Sequence, residues 1–292
     1  MRAQVLKGIE NAVRIECRGQ GVALGTIVGS DGWILTKASQ LGGEPQCVLS
    51  DGRKFAASLV GVDKQYDLAM LRIGAEDLPA VHWTSEPDLR PGGWLITPGV
   101  ERMVASVGVI SVGERRIEGT TPVLGVKLAP SDDESRIAEV YPRSGAAEAG
   151  IQEGDLITHI AREAVHNLNE LRAALQKFHA GDVVQATIDR GNTKLELDVT
   201  LGVEDDIFSG FAQFGVNGPL SRRRDDFPKA FQHDSVLDPT LCGGPALDMA
   251  GRVVGINIAR ADRVATFALS SQVLPGLVEK FRSSSKSPSD QD

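Results

Sequence analysis

The chain has 292 residues, of which 41% are hydrophobic and 24% charged, a composition typical of a globular protein with room for two or three domains. Its formal net charge of −8 argues against nucleic acid as a partner, because a duplex-binding surface needs a concentrated positive field. No apolar run is long enough to cross a membrane, and the three cysteines form neither a CxxC pair nor a His/Cys cluster, so no metal or cofactor is predicted.

The first third of the chain predicts short antiparallel strands. Residues 10–20 alternate apolar and polar side chains, as a half-buried strand does. Residues 21–28 and 33–36 flank a turn that contains Asp31 and Gly32, and Asp-Gly between two apolar runs predicts a β-hairpin. Further strands are predicted at 47–49, 55–60, 67–73 and 94–97. Short strands at spacings of roughly ten residues are typical of a sandwich or a barrel.

Residues 121–201 follow a different pattern, in which short strands and helices are mixed. A short helix over 142–151 is expected to end at Gly150, and a second helix begins after Asn167, a favourable N-terminal cap. Three leucines share one face of this second helix: Leu168, Leu171 and Leu175. Strands are predicted at 124–128, 135–140, 154–160, 183–188 and 194–199.

Residues 203–228 are polar and rich in glycine, which indicates a link between domains. Within this link three arginines are followed at once by two aspartates, Arg222-Arg223-Arg224-Asp225-Asp226. This run predicts a solvated loop held by salt bridges. Strands resume at Phe231 and continue at 253–259 and 264–269, followed by a helix over 271–281.

The most distinctive stretch is Cys242-Gly243-Gly244-Pro245. Glycines allow backbone conformations that other residues avoid, so the residue before them can be presented on a sharp bend. The apolar run after the bend predicts a buried strand that holds it rigidly. This shape resembles the nucleophile loop of trypsin-like serine peptidases, with Cys242 in place of the serine.

Two families share motifs with the chain. The middle segment resembles a bacterial PDZ domain, through Pro142, Ser144, Ala146-Ala147, Ala149-Gly150-Ile151 and Gly154-Asp155-Leu156-Ile157. The flanking segments resemble the protease domain of the HtrA (DegP-like) family, through Gly25-Thr26-Ile27-Val28, Asp31-Gly32-Trp33-Ile34-Leu35-Thr36, Asp67-Leu68-Ala69-Met70-Leu71, Gly243-Gly244-Pro245-Ala246-Leu247 and Val254-Gly255-Ile256-Asn257.

Together these resemblances imply a mainly β protein, with a trypsin-like double β-barrel and an inserted α+β PDZ domain. The surface position of PDZ termini makes such an insertion compatible with an intact barrel. The implied layout is a first barrel over 1–90, the start of the second barrel over 91–120, the PDZ domain over 121–203, a linker over 204–230, the rest of the second barrel with a C-terminal helix over 231–281, and a disordered tail over 282–292.

The HtrA resemblance also assigns the catalytic positions. Ser39 stands at the position of the histidine base, Asp67 at that of the carboxylate and Cys242 at that of the nucleophile, while the amides of Thr240 and Cys242 correspond to the oxyanion hole. A serine hydroxyl cannot act as a base near neutral pH, and a thiol of ordinary pKa is only a few per cent ionised at pH 7. The sequence therefore predicts a pseudoprotease.

Two alternatives remain open at this point. The chain could be an active peptidase that uses Cys242 as nucleophile with a non-standard base such as His233, nine residues earlier. It could also be a structural molecule whose PDZ groove is blocked by its own barrel.

The PDZ resemblance implies peptide binding by strand addition, with polypeptide C-termini or unfolded protein segments as partners. By this resemblance the carboxylate loop would be Val123-Leu124-Gly125-Val126, with the amides of Gly125 and Val126 as donors, and Leu168, Leu171 and Leu175 would line an apolar pocket opposite. The family suggests a role in protein quality control or scaffolding, and a homo-oligomer is one expectation. A periplasmic or other extracytoplasmic location is implied if a signal peptide has been removed, and a cytoplasmic one otherwise, because residues 1–10 lack the signal-peptide pattern.

Overall fold

The computed structural model describes residues 8–99, 103–130, 134–191, 193–204 and 218–285. The chain divides into two compact units, residues 1–117 with 217–292 and residues 118–216. The predicted fold class is confirmed, since the described residues are mainly β and contain two closed six-stranded barrels and a separate middle unit of short strands and helices.

The first barrel is built from the strands that the alternating segments predict. It closes in the order β1-β2-β3-β6-β5-β4, all antiparallel. The predicted hairpin is present as β2 and β3, joined at Asp31-Gly32. Its strands are β1 (Ala12–Cys17), β2 (Gln20–Gly29), β3 (Trp33–Lys37), β4 (Pro45–Val48), β5 (Lys54–Asp63) and β6 (Leu68–Ile73). Two strands that belong to the second barrel follow, β7 (Trp94–Pro98) and β8 (Val104–Ile117).

The middle unit has its own hydrophobic core, to which Leu124, Leu171 and Leu175 contribute. The side chain of Asn167 accepts a hydrogen bond from the Glu170 amide, so the predicted cap of the second helix is present. The two end strands pair with each other, which brings both ends of the unit side by side. Its elements are β9 (Pro122–Val123), β10 (Val126–Leu128), β11 (Ile137–Val140), α1 (Gly145–Glu148), β12 (Leu156–Ile160), β13 (Glu163–Ala164), α2 (Leu168–Leu175), β14 (Val183–Arg190), β15 (Thr193–Thr200) and β16 (Gly202–Val203).

The chain then completes the second barrel, whose order is β17-β20-β19-β18-β7-β8. The added strands are β17 (Phe227–His233), β18 (Pro245–Leu247), β19 (Val253–Asp262) and β20 (Ala265–Ser270). Helix α3 (Leu274–Ser284) starts three residues later than the pattern predicts, because Pro275 lacks an amide hydrogen and fits the first turn. Residues of both barrels meet in one core, for example Leu68 and Met70 with Phe227 and Ile258.

The longest stretches outside the described residues are 205–217 of the predicted linker, with 286–292 of the predicted tail and 1–7 of the predicted first barrel. Within the described parts, β17 begins inside the predicted linker at Phe227, and α3 continues into the predicted tail as far as Ser284. None of the helices in those parts is long and apolar enough to cross a membrane.

Candidate functional site

A buried ion pair lies at the end of β3. The Lys37 side chain is fully buried, and its Nζ donates a hydrogen bond to Asp67 Oδ2 at 2.5 Å. Ser39 adds two further hydrogen bonds to the same carboxylate, from its backbone N–H to Oδ1 and from its Oγ to Oδ2, both at 2.8 Å. The carboxylate charge is therefore balanced by an ammonium and satisfied by several donors, as a buried charge requires.

Local backbone geometry brings these groups together. The short 3-10 turn Ala38–Gln40 follows β3 directly, and the Ala38 amide donates to the Asp67 carbonyl at 2.8 Å. Asp67 adopts a positive φ of 54° immediately before β6, which is tolerated by aspartate more readily than by most residues. The turn and the β3–β6 pairing thus hold Ser39 against Asp67.

The thiol of Cys242 is buried in the second barrel. Its side chain is 0% exposed, and Sγ lies 3.8 Å from the Oγ of Ser221. Burial raises the pKa of the Cys242 thiol above its ordinary value, although the Lys37 ammonium and the Ser221 hydroxyl act in the opposite direction. The thiol is therefore protonated at neutral pH, and the thiolate is the form that attacks a carbonyl.

The bend after Cys242 is fixed to both barrels. Gly243 has a φ of +94° and donates its amide to the Asn257 carbonyl in β19 at 2.7 Å. The carbonyl of Cys242 accepts a hydrogen bond from the Leu24 amide in β2 at 3.0 Å, and Thr26 Oγ1 donates to the Gly243 carbonyl at 2.9 Å. The bend is rigid, as the glycine pattern predicts.

The two amides at the oxyanion positions already have partners. The Thr240 amide donates to the Asp238 carboxylate at 2.9 Å, and the Cys242 amide donates to the Pro239 carbonyl at 3.0 Å. Both bonds belong to the 3-10 turn Pro239–Leu241, which Asp238 caps. An oxyanion hole needs donors that converge on one external point, and these amides are turned to internal acceptors.

Comparisons with known proteins find relatives of parts of the chain. A family model for the PDZ domain matches residues 122–201. A probable periplasmic DegP-like serine endoprotease of a Marinomonas species is 38% identical over 86 residues, which cover 28% of this chain and 18% of the relative. A protein of the same description from Hahella chejuensis is 31% identical over 117 residues, which cover 38% of this chain and 25% of the relative. The periplasmic pH-dependent serine endoprotease DegQ of Escherichia coli is 25% identical over 200 residues, covering 64% and 43%.

The chain is homologous to the DegP, DegQ and HtrA serine endoproteases over part of its length. These three alignments span less than half of each relative. The structure brings Ser39 and Asp67 into contact, and the bend after Cys242 lies beside the end of β3, where a Cβ on Gly243 would be 2.9 Å from the Lys37 amide nitrogen. The three catalytic positions therefore share one neighbourhood, and their roles stay predictions.

Sequence reasoning missed three residues of this neighbourhood. Lys37 follows an apolar strand and carries no signal of burial, because its partner Asp67 lies 30 residues away. Ser221 and Arg223 belong to the predicted link. The prediction that this run of charged residues forms a solvated loop is wrong for Arg223. Its side chain is buried, packs over the Phe227 ring at 5.4 Å and donates to the Gln65 carbonyl at 2.9 Å.

His233, the alternative base, is engaged elsewhere. It is 0% exposed, and its Nε2 is 2.9 Å from Asn257 Oδ1, whose amide nitrogen in turn donates to Thr97 Oγ1. Burial lowers the pKa of His233 to about 4, against the opposing effects of Asn257 and Asp234. Such an imidazole is a weak base, and the ring packs beside Phe231 within the barrel. These contacts favour a structural role for His233.

The depressed pKa of His233 predicts acid lability. Between pH 6.5 and about 4 the unfolded chain binds a proton at this histidine while the folded chain does not, so stability is lost as the pH falls. The free energy of unfolding that is lost through His233 is roughly 3 kcal/mol, since each unit of pKa difference corresponds to about 1.4 kcal/mol. Urea unfolding at pH 7 and pH 4 measures it, with His233→Gln as the control that keeps a partner for Asn257. Equal losses in the two proteins would contradict the prediction.

The predicted peptide-binding residues of the PDZ domain differ in exposure. Leu168 is 42% exposed, whereas Leu171, Leu175 and Leu124 are buried in the domain core. Gly125 has a φ of +85°, and its carbonyl accepts a hydrogen bond from the Tyr141 amide at 3.0 Å. Of the three leucines on this helix face, Leu168 is thus the one that is available to a ligand.

Proposed function

We propose that this protein binds polypeptide C-termini and unfolded segments through its PDZ domain, as a scaffold or regulator in protein quality control. We further propose that the protease-like part does not hydrolyse peptide bonds. The relatives named above are described as periplasmic, and an extracytoplasmic location is part of the proposal.

Peptide binding is supported by the arrangement of one helix and one loop in the PDZ domain. Helix α2 and the loop that contains Gly125 are attached to the same core, through Leu171 on the helix and Leu124 in the loop. Leu168 extends from the first turn of this helix into solvent. An exposed apolar side chain on a helix that shares its core with this loop is a suitable contact for a C-terminal residue with an apolar side chain.

The single observation that carries the inactive assignment is the burial of Cys242 under Ser221. A nucleophile must reach a carbonyl carbon, and a general base must lie within hydrogen-bond reach of it. At this site the neighbouring titratable groups are Lys37 and Asp67, which neutralise each other in an ion pair. Loss of a catalytic base from this kind of site removes several orders of magnitude in rate.

Replacing Leu168 by glutamate is expected to weaken peptide binding at least about tenfold, because a charge would replace the apolar contact. Fluorescence anisotropy with an array of labelled peptides that end in an apolar residue measures the affinity. Val183→Glu is the matched control, since Val183 is 59% exposed in the same domain. The same peptides with an amidated C-terminus should bind more weakly. Absence of binding to every peptide, or equal binding of the amidated set, would overturn the proposal.

A further inference from the structure

Residues 219–226, which we term the strap, cross the protease-like unit just before β17. Their burial alternates, with Ser221, Arg223 and Asp225 buried and Arg222 exposed between the first two. The alternation places every second residue of the strap against the protease-like unit. The strap bends at Arg222, Arg223 and Asp225, and it is not part of either closed barrel.

The strap pairs with one edge of β19. Strand β18 covers β19 only as far as Ile256, and Arg260 lies beyond that point. The Ser221 amide donates to the Arg260 carbonyl at 3.0 Å, and the Arg260 amide donates to Ser221 Oγ at 2.9 Å. Both backbone groups of Arg260 are thus engaged by Ser221, one through its amide and one through its hydroxyl, at a point that β18 does not cover. Addition to a strand edge is a general way in which an extended peptide is bound.

The same segment covers the candidate site. Ser221 Oγ is 3.8 Å from the Cys242 thiol, and the carbonyl of Arg223 accepts a hydrogen bond from Lys37 Nζ at 2.8 Å. One strap residue therefore rests on the nucleophile position of the second barrel, and another contacts the Lys37–Asp67 pair of the first. Cys242 and Lys37 both have 0% exposure under this cover.

The Arg223 side chain anchors the strap to the first barrel. Its guanidinium donates to the carbonyls of Lys64 and Gln65, the latter at 2.9 Å, and to the Asp226 carbonyl at 3.2 Å. Hydrogen bonds from a charged donor are stronger than neutral ones, so Arg223 contributes strongly to the attachment of the strap. Arg222 has no such role, since its side chain is exposed.

We infer that the strap is an intramolecular competitor for extended peptides at the edge of β19, lying over Cys242 and latched by Arg223. Any extended peptide from another molecule must displace the strap before it can pair with β19 at Arg260 or approach the thiol. This inference concerns the protease-like unit and goes beyond peptide binding by the PDZ domain.

The test is the rate at which each cysteine is labelled. The full chain is treated with N-ethylmaleimide under native conditions, and peptide-resolved mass spectrometry follows Cys17, Cys47 and Cys242 separately, all three being free and buried. Arg223→Ala is expected to raise the labelling rate of Cys242 at least about tenfold, since it removes several charge-assisted hydrogen bonds. The rates of Cys17 and Cys47 should not change.

The controls separate opening of the strap from unfolding. Arg222→Ala, the exposed neighbour, should label like the wild type. If Arg223→Ala does not fold, Ser221→Ala provides the second variant, because it removes the hydroxyl contact to Arg260 and Cys242 and keeps the backbone bond. A selective rise at Cys242 supports the inference. No rise, or an equal rise at all three cysteines, overturns it.

Discussion

Replacing Lys37 by methionine is expected to lower the free energy of unfolding by about 3–5 kcal/mol, because the substitution leaves a buried carboxylate without its counter-charge. Lys37 has no exposed surface, and Asp67 is 3% exposed. The variant also loses the hydrogen bond from Nζ to the Arg223 carbonyl. Chemical denaturation of the purified full chain measures the change.

Two comparisons make this result specific to the buried pair. Lys54→Met breaks the ion pair with Glu16 at 3.0 Å, but the Lys54 side chain is 58% exposed, so the expected loss is under about 1 kcal/mol. The double variant Lys37→Met with Asp67→Asn should recover part of the loss, because asparagine removes the charge and tolerates the positive φ of residue 67. A loss below about 1 kcal/mol for Lys37→Met would show that the ion pair is not needed for stability.

Replacing Gly243 by alanine is expected to destabilise the fold by about 3 kcal/mol or more, through backbone strain and a steric clash. The φ of +94° is unfavourable for any residue with a Cβ. A Cβ at this position would collide with the Leu24 carbonyl oxygen and lie 2.9 Å from the Lys37 amide nitrogen. The bend contacts the backbone of both β2 and β3. The steric clash could therefore be relieved only if the two barrels moved apart.

Gly276→Ala is the control for this substitution. Gly276 lies in α3, and an added Cβ would meet no atom within 4 Å. Alanine is the better helix former, so a gain of up to about 1 kcal/mol is expected. Thermal unfolding of both variants distinguishes them, and a Gly243→Ala protein as stable as the wild type would contradict the close packing of the bend.

Local patterns were sufficient to predict most of the strands and helices, whereas the double barrel and the inserted PDZ domain were implied by the family resemblances. Alternation of apolar side chains gave the strands of the first barrel, and Asp31-Gly32 gave its hairpin turn. Asn167 was identified as a helix cap because the cap acts on an amide three residues later, within reach of sequence reasoning. The bend at Gly243 followed from the conformational freedom of glycine, and the buried strand after it from the apolar run at 245–247.

The environment of the candidate site could not be predicted because it depends on contacts between distant residues. Ser221 bonds to Arg260, 39 residues later, and the Arg223 carbonyl bonds to Lys37, 186 residues earlier. Charged residues are usually exposed, so a run of arginines and aspartates predicts a solvated loop. Burial of Arg223 requires carbonyl acceptors that come from another barrel.

The measurement that tests the central claim most directly is proteolysis of an unfolded substrate. Purified wild-type protein and Cys242→Ala are incubated with unfolded casein, and cleavage is followed by mass spectrometry of the released peptides. We predict no cleavage above the background of the Cys242→Ala protein, because the thiol is buried and protonated and its neighbour Lys37 is bound to Asp67. Cleavage by the wild type that disappears in Cys242→Ala would contradict the account.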